Sequence, residues 1–242
     1  MVKIGIFGSR GRMGRAIAQA LADQNLVLAG GADLGDDLLA LAKKSDVLVD
    51  FSAPVGLGGN LDAAVAAKTP IVIGTTGLTQ EHHEMIDDAA REIAVLQAAN
   101  TSLGVTLLAA LVEQAAARLD DDWDVEILEL HHRHKVDAPS GTALALAAAA
   151  ARGRARSLPE VSRFDRFEND QPRDRGSIGF ASLRGGSAAG DHTVLLATEG
   201  ERIELTHRAE SRDIFARGAI KAALWLVRLS PGRYTMNDVL GL

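Results

Sequence analysis

Short apolar runs alternate with longer stretches of helical period through the first hundred residues. Residues 3–7 predict a strand that stops at Gly8. Residues 12–22 predict a helix with Met13, Ile17, Ala20 and Leu21 on one side. Further strands are expected at 26–29, 47–51, 70–74 and 93–98. Helices are expected at 37–43, at 61–67, and from a Thr79 cap to Arg91. The run at 47–51 is apolar without alternation, as in a strand buried on both faces. This alternation of strand and helix predicts a doubly wound α/β domain, a parallel sheet with helices on both sides.

The rhythm changes after Asn100. A long apolar helix is expected at 105–118, a strand at 125–131 and an alanine-rich helix at 142–151. Residues 152–176 read as an exposed, charged loop. Strands at 178–183, 192–198 and 202–208 follow without helices between them, which predicts an antiparallel or mixed sheet. A helix at 214–229 closes the chain at Pro231-Gly232. The expected fold class is therefore a doubly wound parallel sheet plus a second α+β domain with a mixed sheet.

Composition narrows the function. A chain of 242 residues suits one large domain or two modest ones, and 47% hydrophobic with 24% charged residues is globular rather than disordered. The absence of cysteine excludes disulfides, thiolate–zinc sites, iron–sulfur clusters and a cysteine nucleophile. A net charge of −6 weighs against a nucleic-acid partner. No apolar run reaches the ~18 residues of a membrane span, so no membrane partner is expected. Residues 1–7 run straight into glycines without the pattern of a signal peptide, so a cytoplasmic protein is expected.

Gly8-Ser9-Arg10-Gly11-Arg12-Met13-Gly14 follows a strand and opens a helix. Glycine there lets the backbone turn sharply and lets a pyrophosphate approach the amides. Asp33 lies at the end of the second strand, where a carboxylate accepts both ribose hydroxyls of an adenosine. The G-x-x-G-x-x-G spacing departs from the usual one, and alone it also fits a plain strand-to-helix turn. Arg10 and Arg12 are either solvated charges or phosphate ligands. Three other strand ends, at 51–54, 74–77 (Gly74-Thr75-Thr76-Gly77) and 98–101 (Ala98-Ala99-Asn100-Thr101), suit the ribose and nicotinamide of a dinucleotide as a set.

The stretch His131-His132-Arg133-His134-Lys135-Val136-Asp137-Ala138-Pro139-Ser140-Gly141-Thr142 concentrates cations in an acidic protein, which favours an anionic ligand. Ser140, Gly141 and Thr142 open the alanine-rich helix, whose positive end seats a carboxylate or phosphate. Period-two alternation puts Glu129 on the face of His131, able to orient its imidazole. A metal on His131 and His134 lacks a clear third ligand. Ser140 lacks a nucleophile elbow, and no Walker loop precedes it. A solvated basic loop before a capped helix fits these residues equally well. His82 and His83 read as solvent-facing, and His192 and His207 as structural.

Taken together, residues 126–143 resemble the signature of the 4-hydroxy-tetrahydrodipicolinate reductase (dihydrodipicolinate reductase) family. The Gly8–Gly14 loop, residues 74–77 and residues 203–226 are similar to that family in the same order. The resemblance implies a Rossmann-like domain at 1–102 and 213–242, and a substrate-binding and oligomerisation domain at 103–212. It implies NADH or NADPH as cofactor, a small dicarboxylate substrate, a homotetramer, and a step of lysine and diaminopimelate biosynthesis. It makes His131 the acid/base and Lys135 the proton donor, with His132, Gly141 and Thr142 on the substrate carboxylates. It assigns Gly8, Ser9, Arg10, Gly11, Arg12, Met13, Asp33, Gly74, Thr75, Thr76, Ala98, Ala99, Asn100 and Thr101 to the cofactor.

Three positions depart from that pattern. The segment 34–45 is short, Leu34 stands where an arginine often follows the acidic residue, and Thr101 stands where an aromatic is usual. Asp33 with no arginine next to it in the chain repels a 2′-phosphate unless Arg10 or Arg12 offsets it, so the expected preference is NADH.

Overall fold

The computed structural model describes residues 1–165 and 171–242, and its chain divides into two compact units, 1–103 with 213–242 and 104–212. In chain order the first unit begins β1 (Lys3–Phe7), α1 (Arg12–Asp23), β2 (Val27–Ala32), α2 (Leu38–Lys44), β3 (Val47–Asp50), α3 (Leu57–Ala67), β4 (Ile71–Ile73), α4 (Gln80–Ala89) and β5 (Ala94–Gln97). Then come α5 (Leu103–Arg118), β6 (Asp124–His131), α6 (Gly141–Gly153), α7 (Leu158–Val161), β7 (Ser162–Arg163), β8 (Ile178–Arg184), β9 (Asp191–Thr198) and β10 (Glu201–Arg208). The chain ends with α8 (Asp213–Leu226), β11 (Gly232–Tyr234) and α9 (Met236–Leu240).

Six parallel strands form the first sheet, in the order β11-β5-β4-β3-β1-β2. β3 is fully buried on both faces, as its unbroken apolar run requires. One core lies against α1 and α8 and joins Ile17 and Leu21 to Ile220 and Leu226. The other lies against α2, α3 and α4 around Phe7, Leu57 and Ile86. The strand order reverses between β1 and β3, which is where an open α/β sheet places its ligand.

The second sheet is mixed, in the order β10-β9-β6-β8-β7, with β6 parallel to β8 and antiparallel to β9. Val125 and Ile127 of β6 bury against Leu108 and Val112 of α5 and Leu146 of α6. Gly153 permits close packing there, because a Cβ would lie 2.4 Å from the Glu113 carbonyl oxygen.

Several expectations are corrected. The stretch 152–176 is not simply an exposed loop. It completes α6 and adds α7 and β7, and Arg173 is largely buried against Asp124, Glu126 and the Val125 carbonyl; residues 166–170 lie outside the described residues. The strand expected at 26–29 continues through Gly30 and Gly31 to Ala32. The helix expected at 61–67 starts at Leu57, through glycines of poor helix propensity. Gly232 does not merely end a helix but opens β11, the edge strand beside β5. His82 and His83 are half-buried and bonded. Thr79 N–H donates to His82 Nδ1 at 3.0 Å, and His83 Nδ1 lies 3.2 Å from Arg233 Nη2. Among the described residues no helix is long and apolar enough to cross a membrane.

Candidate active site

The glycine loop builds the first half of the site. Gly8 takes a φ of +79°, open to glycine, and a Cβ there would lie 2.6 Å from the Phe51 carbonyl oxygen. The loops after β1 and β3 therefore touch backbone to backbone. A Cβ on Gly14 would lie 2.3 Å from the Gly8 carbonyl oxygen, so α1 sits directly under the loop. α1 begins after Gly11 without a side-chain cap, leaving its first amides to a ligand.

Two cavities flank this loop. One, of about 510 Å³, is lined by Gly11, Arg12, Met13, Gly74, Thr75, Thr76, Ala99, Asn100 and Thr101, together with Phe51, Ser52 and Phe215. The other, of about 450 Å³, contains Gly8, Gly11, Asp33 and Leu34 with the apolar walls of Ala32, Leu38 and Val55. Most of the candidate cofactor residues thus divide between a cavity of mixed polar and apolar lining and an apolar slot beside a carboxylate. Ser9 and Arg10 lie on the Asp33 side chain, through Ser9 Oγ at 2.7 Å and Arg10 N–H at 3.1 Å. Ala98 packs against the core instead, and the Thr101 hydroxyl donates to the Phe215 carbonyl at 2.7 Å.

Beneath the first cavity sits Asp50, fully buried at the end of β3. It accepts hydrogen bonds from Ser52 N–H (2.9 Å), Ser52 Oγ (2.6 Å), Asn60 Nδ2 (3.1 Å) and Thr75 Oγ1 (3.2 Å). The carboxylate fixes Ser52 and Thr75, two of the hydroxyl residues that line the cavity.

In the second unit, β6 ends on His131, and His132 and His134 follow it. Glu129 and His131 share the buried face. Glu129 Oε2 lies 2.5 Å from His131 Nδ1, and Arg184 grips both carboxylate oxygens at 2.8 and 2.9 Å. Burial opposes the charge on Glu129, but hydrogen bonds from Arg184, His131 and Ser182 outweigh it and bring its pKa down to about 2. An ionised Glu129 makes His131 Nδ1 the donor and leaves Nε2 for chemistry. Gly190 keeps that atom accessible, since a Cβ there would lie 2.9 Å from Nε2.

The segment after His131 is held by the 185–188 loop. His131 O accepts Gly185 N–H at 2.9 Å, and His132 N–H donates to Ala188 O at 2.8 Å. His132 Nε2 accepts from Arg212 at 3.0 Å. Desolvation, then the charge of Arg212 and of the neighbouring His134, His131 and Lys135, pushes the His132 pKa down. Lys135 Nζ donates to both oxygens of Asp137 at 2.7 and 2.8 Å. Ser140 caps α6 by accepting Ala143 N–H at 3.1 Å, and its own N–H donates to Glu129 Oε1 at 3.2 Å. Gly141 and Thr142 begin that helix, and Gly141 is exposed with open space where a side chain would stand.

His192 lies under this cluster. Its ring is 5.0 Å from that of His131 and perpendicular to it in sense (74°), and its Nε2 is 3.0 Å from Ser140 Oγ. Burial, then the neighbouring His131, lowers its pKa to about 4, so the ring is neutral at pH 7. Arg184, Gly190 and Arg212 were not legible as site residues. Only the pairing of β6 with β8, which sets His131 opposite Arg184, brings that arginine to Glu129. Among the described residues no group of three or more His, Asp or Glu is placed to hold a metal ion.

Family models described as dihydrodipicolinate reductase, N-terminus and C-terminus, match residues 2–101 and 104–240. The 4-hydroxy-tetrahydrodipicolinate reductase of Zymomonas mobilis is 59% identical over 248 residues, covering 100% of this chain and 98% of that protein. The protein of the same name from Parvibaculum lavamentivorans is 49% identical, again over 100% and 98%. Among solved structures, a dipicolinate-bound dihydrodipicolinate reductase from Paenisporosarcina sp. TG-14 matches with a TM-score of 0.76 at 24% identity, over 98% of each chain. That last likeness is one of fold.

Proposed function

The chain belongs to the dihydrodipicolinate reductase family, and from that premise we propose how its residues divide the work. It has that family's role, the reduction of 4-hydroxy-tetrahydrodipicolinate with a pyridine nucleotide in lysine and diaminopimelate biosynthesis. The first unit, 1–103 with 213–242, binds the nucleotide, and the second, 104–212, binds the dicarboxylate. The Gly8–Gly14 loop takes the pyrophosphate, and the cavity at Asp33 takes the adenosine. The cavity of Gly74, Thr75, Thr76 and Asn100 takes the nicotinamide. When bound, the reduced nicotinamide supplies a hydride.

The second unit handles charge and proton. Its substrate is a ring bearing two carboxylates, and the cationic segment with the α6 end answers both. Gly141 and Thr142 offer the helix N-terminus to one carboxylate, with Ser140 setting the cap. His132 and Arg212 stand for the other. Lys135 exchanges Asp137 for the substrate and adds positive charge beside the ring. Loss of the 4-hydroxyl as water leaves a conjugated C=C–C=N system, whose reduction requires one proton besides the hydride. His131 Nε2 and Lys135 Nζ are the groups that hold or deliver it. A positioned acid of this kind is worth ~10²–10⁴-fold in rate.

The observation that carries the reading is the buried Arg184–Glu129–His131 array directly beside the capped end of α6. Positive charge, an aimed imidazole and a helix end meet within one unit, as a doubly anionic substrate needing a proton demands. For the nucleotide we favour NADH, because Asp33 meets a 2′-phosphate with a like charge and Leu34 offers nothing against it. The protein is proposed to work as a homotetramer. The face of the second sheet away from α5 and α6 carries Leu128, Leu130, Leu183 and Leu195, and Leu128 and Leu183 are 38% and 54% exposed. The reductive nicotinamide chemistry favours the cytoplasm.

The deciding experiment follows NADH and NADPH oxidation with the substrate generated enzymatically in situ. Substrate-dependent oxidation with a higher kcat/KM for NADH supports the reading. Oxidation with NADPH clearly preferred overturns the nucleotide assignment, and no substrate-dependent oxidation overturns the residue roles. A sedimentation mass below that of four chains removes the tetramer.

A further inference from the structure

The turn after β2 arranges two carboxylates around Arg10. Asp36 N–H donates to the Asp33 carbonyl at 3.0 Å, and Gly35 takes a φ of +91°, so residues 33–36 close tightly. Asp36 Oδ2 then accepts two donors, Asp33 N–H at 2.9 Å and Arg10 Nη2 at 2.8 Å. Arg10 Nε lies 3.6 Å from Asp33 Oδ2. The guanidinium is therefore drawn onto the turn that borders the Asp33 cavity. Arg12, the other cation of the loop, lines the opposite cavity.

We propose that Asp36 is a specificity-determining residue for the nucleotide, because it withholds Arg10 from a 2′-phosphate. The proposal rests on the placement of the adenosine ribose at Asp33 argued above. A 2′-phosphate on that ribose arrives as a dianion beside Asp33, and it needs a cation to offset the carboxylate. Arg10 is the neighbour suited to this, since its own backbone N–H already sits on Asp33. In this chain its side chain is engaged, and releasing it leaves Asp36 uncompensated next to the incoming phosphate. A 2′-hydroxyl makes no such demand. The preference for NADH thus comes from a clamp three residues beyond the ribose-binding aspartate, as well as from that aspartate.

A double-mutant cycle tests this by titrating NADH and NADPH fluorescence against wild type, Asp36→Asn, Arg10→Ala and the double variant. Asn keeps an acceptor for Asp33 N–H, so the turn survives. Asp36→Asn is expected to improve NADPH binding relative to NADH by about 3–5-fold, and adding Arg10→Ala is expected to remove most of that gain. An unmoved ratio in Asp36→Asn, or a gain undiminished by Arg10→Ala, overturns the proposal. Asp33→Ala in parallel separates it from its premise. NADH affinity that ignores Asp33 defeats the ribose placement and the clamp with it. NADH affinity that depends on Asp33, with a ratio blind to Asp36→Asn, defeats the clamp alone.

Discussion

His131 stands directly across from Arg184 in the parallel pairing of β6 and β8, and Glu129 binds both of them, at 2.5 Å to the imidazole and 2.8 Å to the guanidinium. An imidazole and a guanidinium share one buried carboxylate. The arginine keeps it ionised, and the ionised carboxylate fixes the imidazole's tautomer and direction. Glu129→Gln should therefore misorient His131 and strand Arg184. The expected result is a fall in kcat of about 10²-fold with NADH affinity retained, read by steady-state kinetics and nucleotide titration. Unchanged turnover would remove Glu129 from the mechanism.

His131→Ala and Lys135→Ala each remove a group proposed to hold the proton. Both should lower kcat by about 10²-fold or more while NADH binds normally, because the residues proposed to bind the nucleotide belong to the other unit. Near-normal turnover in both variants would defeat the assignment.

Gly190 is a steric prediction. A Cβ there lies 2.9 Å from His131 Nε2, and the residue's φ of +152° suits glycine alone. Gly190→Ala should cost at least ~10-fold in kcat by covering the nitrogen proposed to move the proton, with NADH titration unaffected. Full activity would show that Nε2 is not the working atom.

Gly14→Ala places a methyl 2.3 Å from the Gly8 carbonyl oxygen, a backbone atom that cannot turn aside. The loop must lift from α1, and NADH affinity should drop ~10-fold or more. Fluorescence titration decides it, and wild-type affinity would mean the loop does not carry the pyrophosphate.

Stability should fall with acid in two stages. His192 titrates at about 4 when folded against an ordinary 6.5, so the unfolded chain takes up its proton first. Its contribution is complete above pH 6.5 and is lost as pH falls toward 4, on the order of 3 kcal/mol in all. Glu129, at about 2 against 4.5, adds a loss between pH 4.5 and 2. Urea unfolding at pH 7, 5.5 and 4.5 should show the first stage, and His192→Gln should flatten it. An equal slope in that variant would exclude His192 as its source.

Period and punctuation made most of the first sheet legible. Lys3–Phe7 and Val47–Asp50 are apolar runs ended by glycine or by a polar turn, and α1 shows its buried side at Ile17, Ala20 and Leu21. β11 was not legible, because three residues after Pro231 carry no alternation and become a strand only by pairing with Leu96 and its neighbours. The 152–176 stretch departs from its expected loop for a related reason. Its charges look solvated in sequence, yet Arg173 is drawn inward by Asp124 and Glu126, forty-nine and forty-seven positions earlier.

The sequence by itself determined the local chemistry. It set a glycine loop between strand and helix, an aspartate one strand later, and a cationic segment ending in a capped helix, since each depends on neighbours in the chain. It also put Glu129 behind His131, because a strand's period is two. Only the tertiary structure decided which distant groups complete these pieces. Arg184 reaches Glu129 through strand pairing, Gly190 opens His131 through the β9 edge, and Asp36 takes Arg10 through a turn on the far side of β2. Hydrogen-bond register and loop closure set those meetings, and neither leaves a mark in the residues that meet.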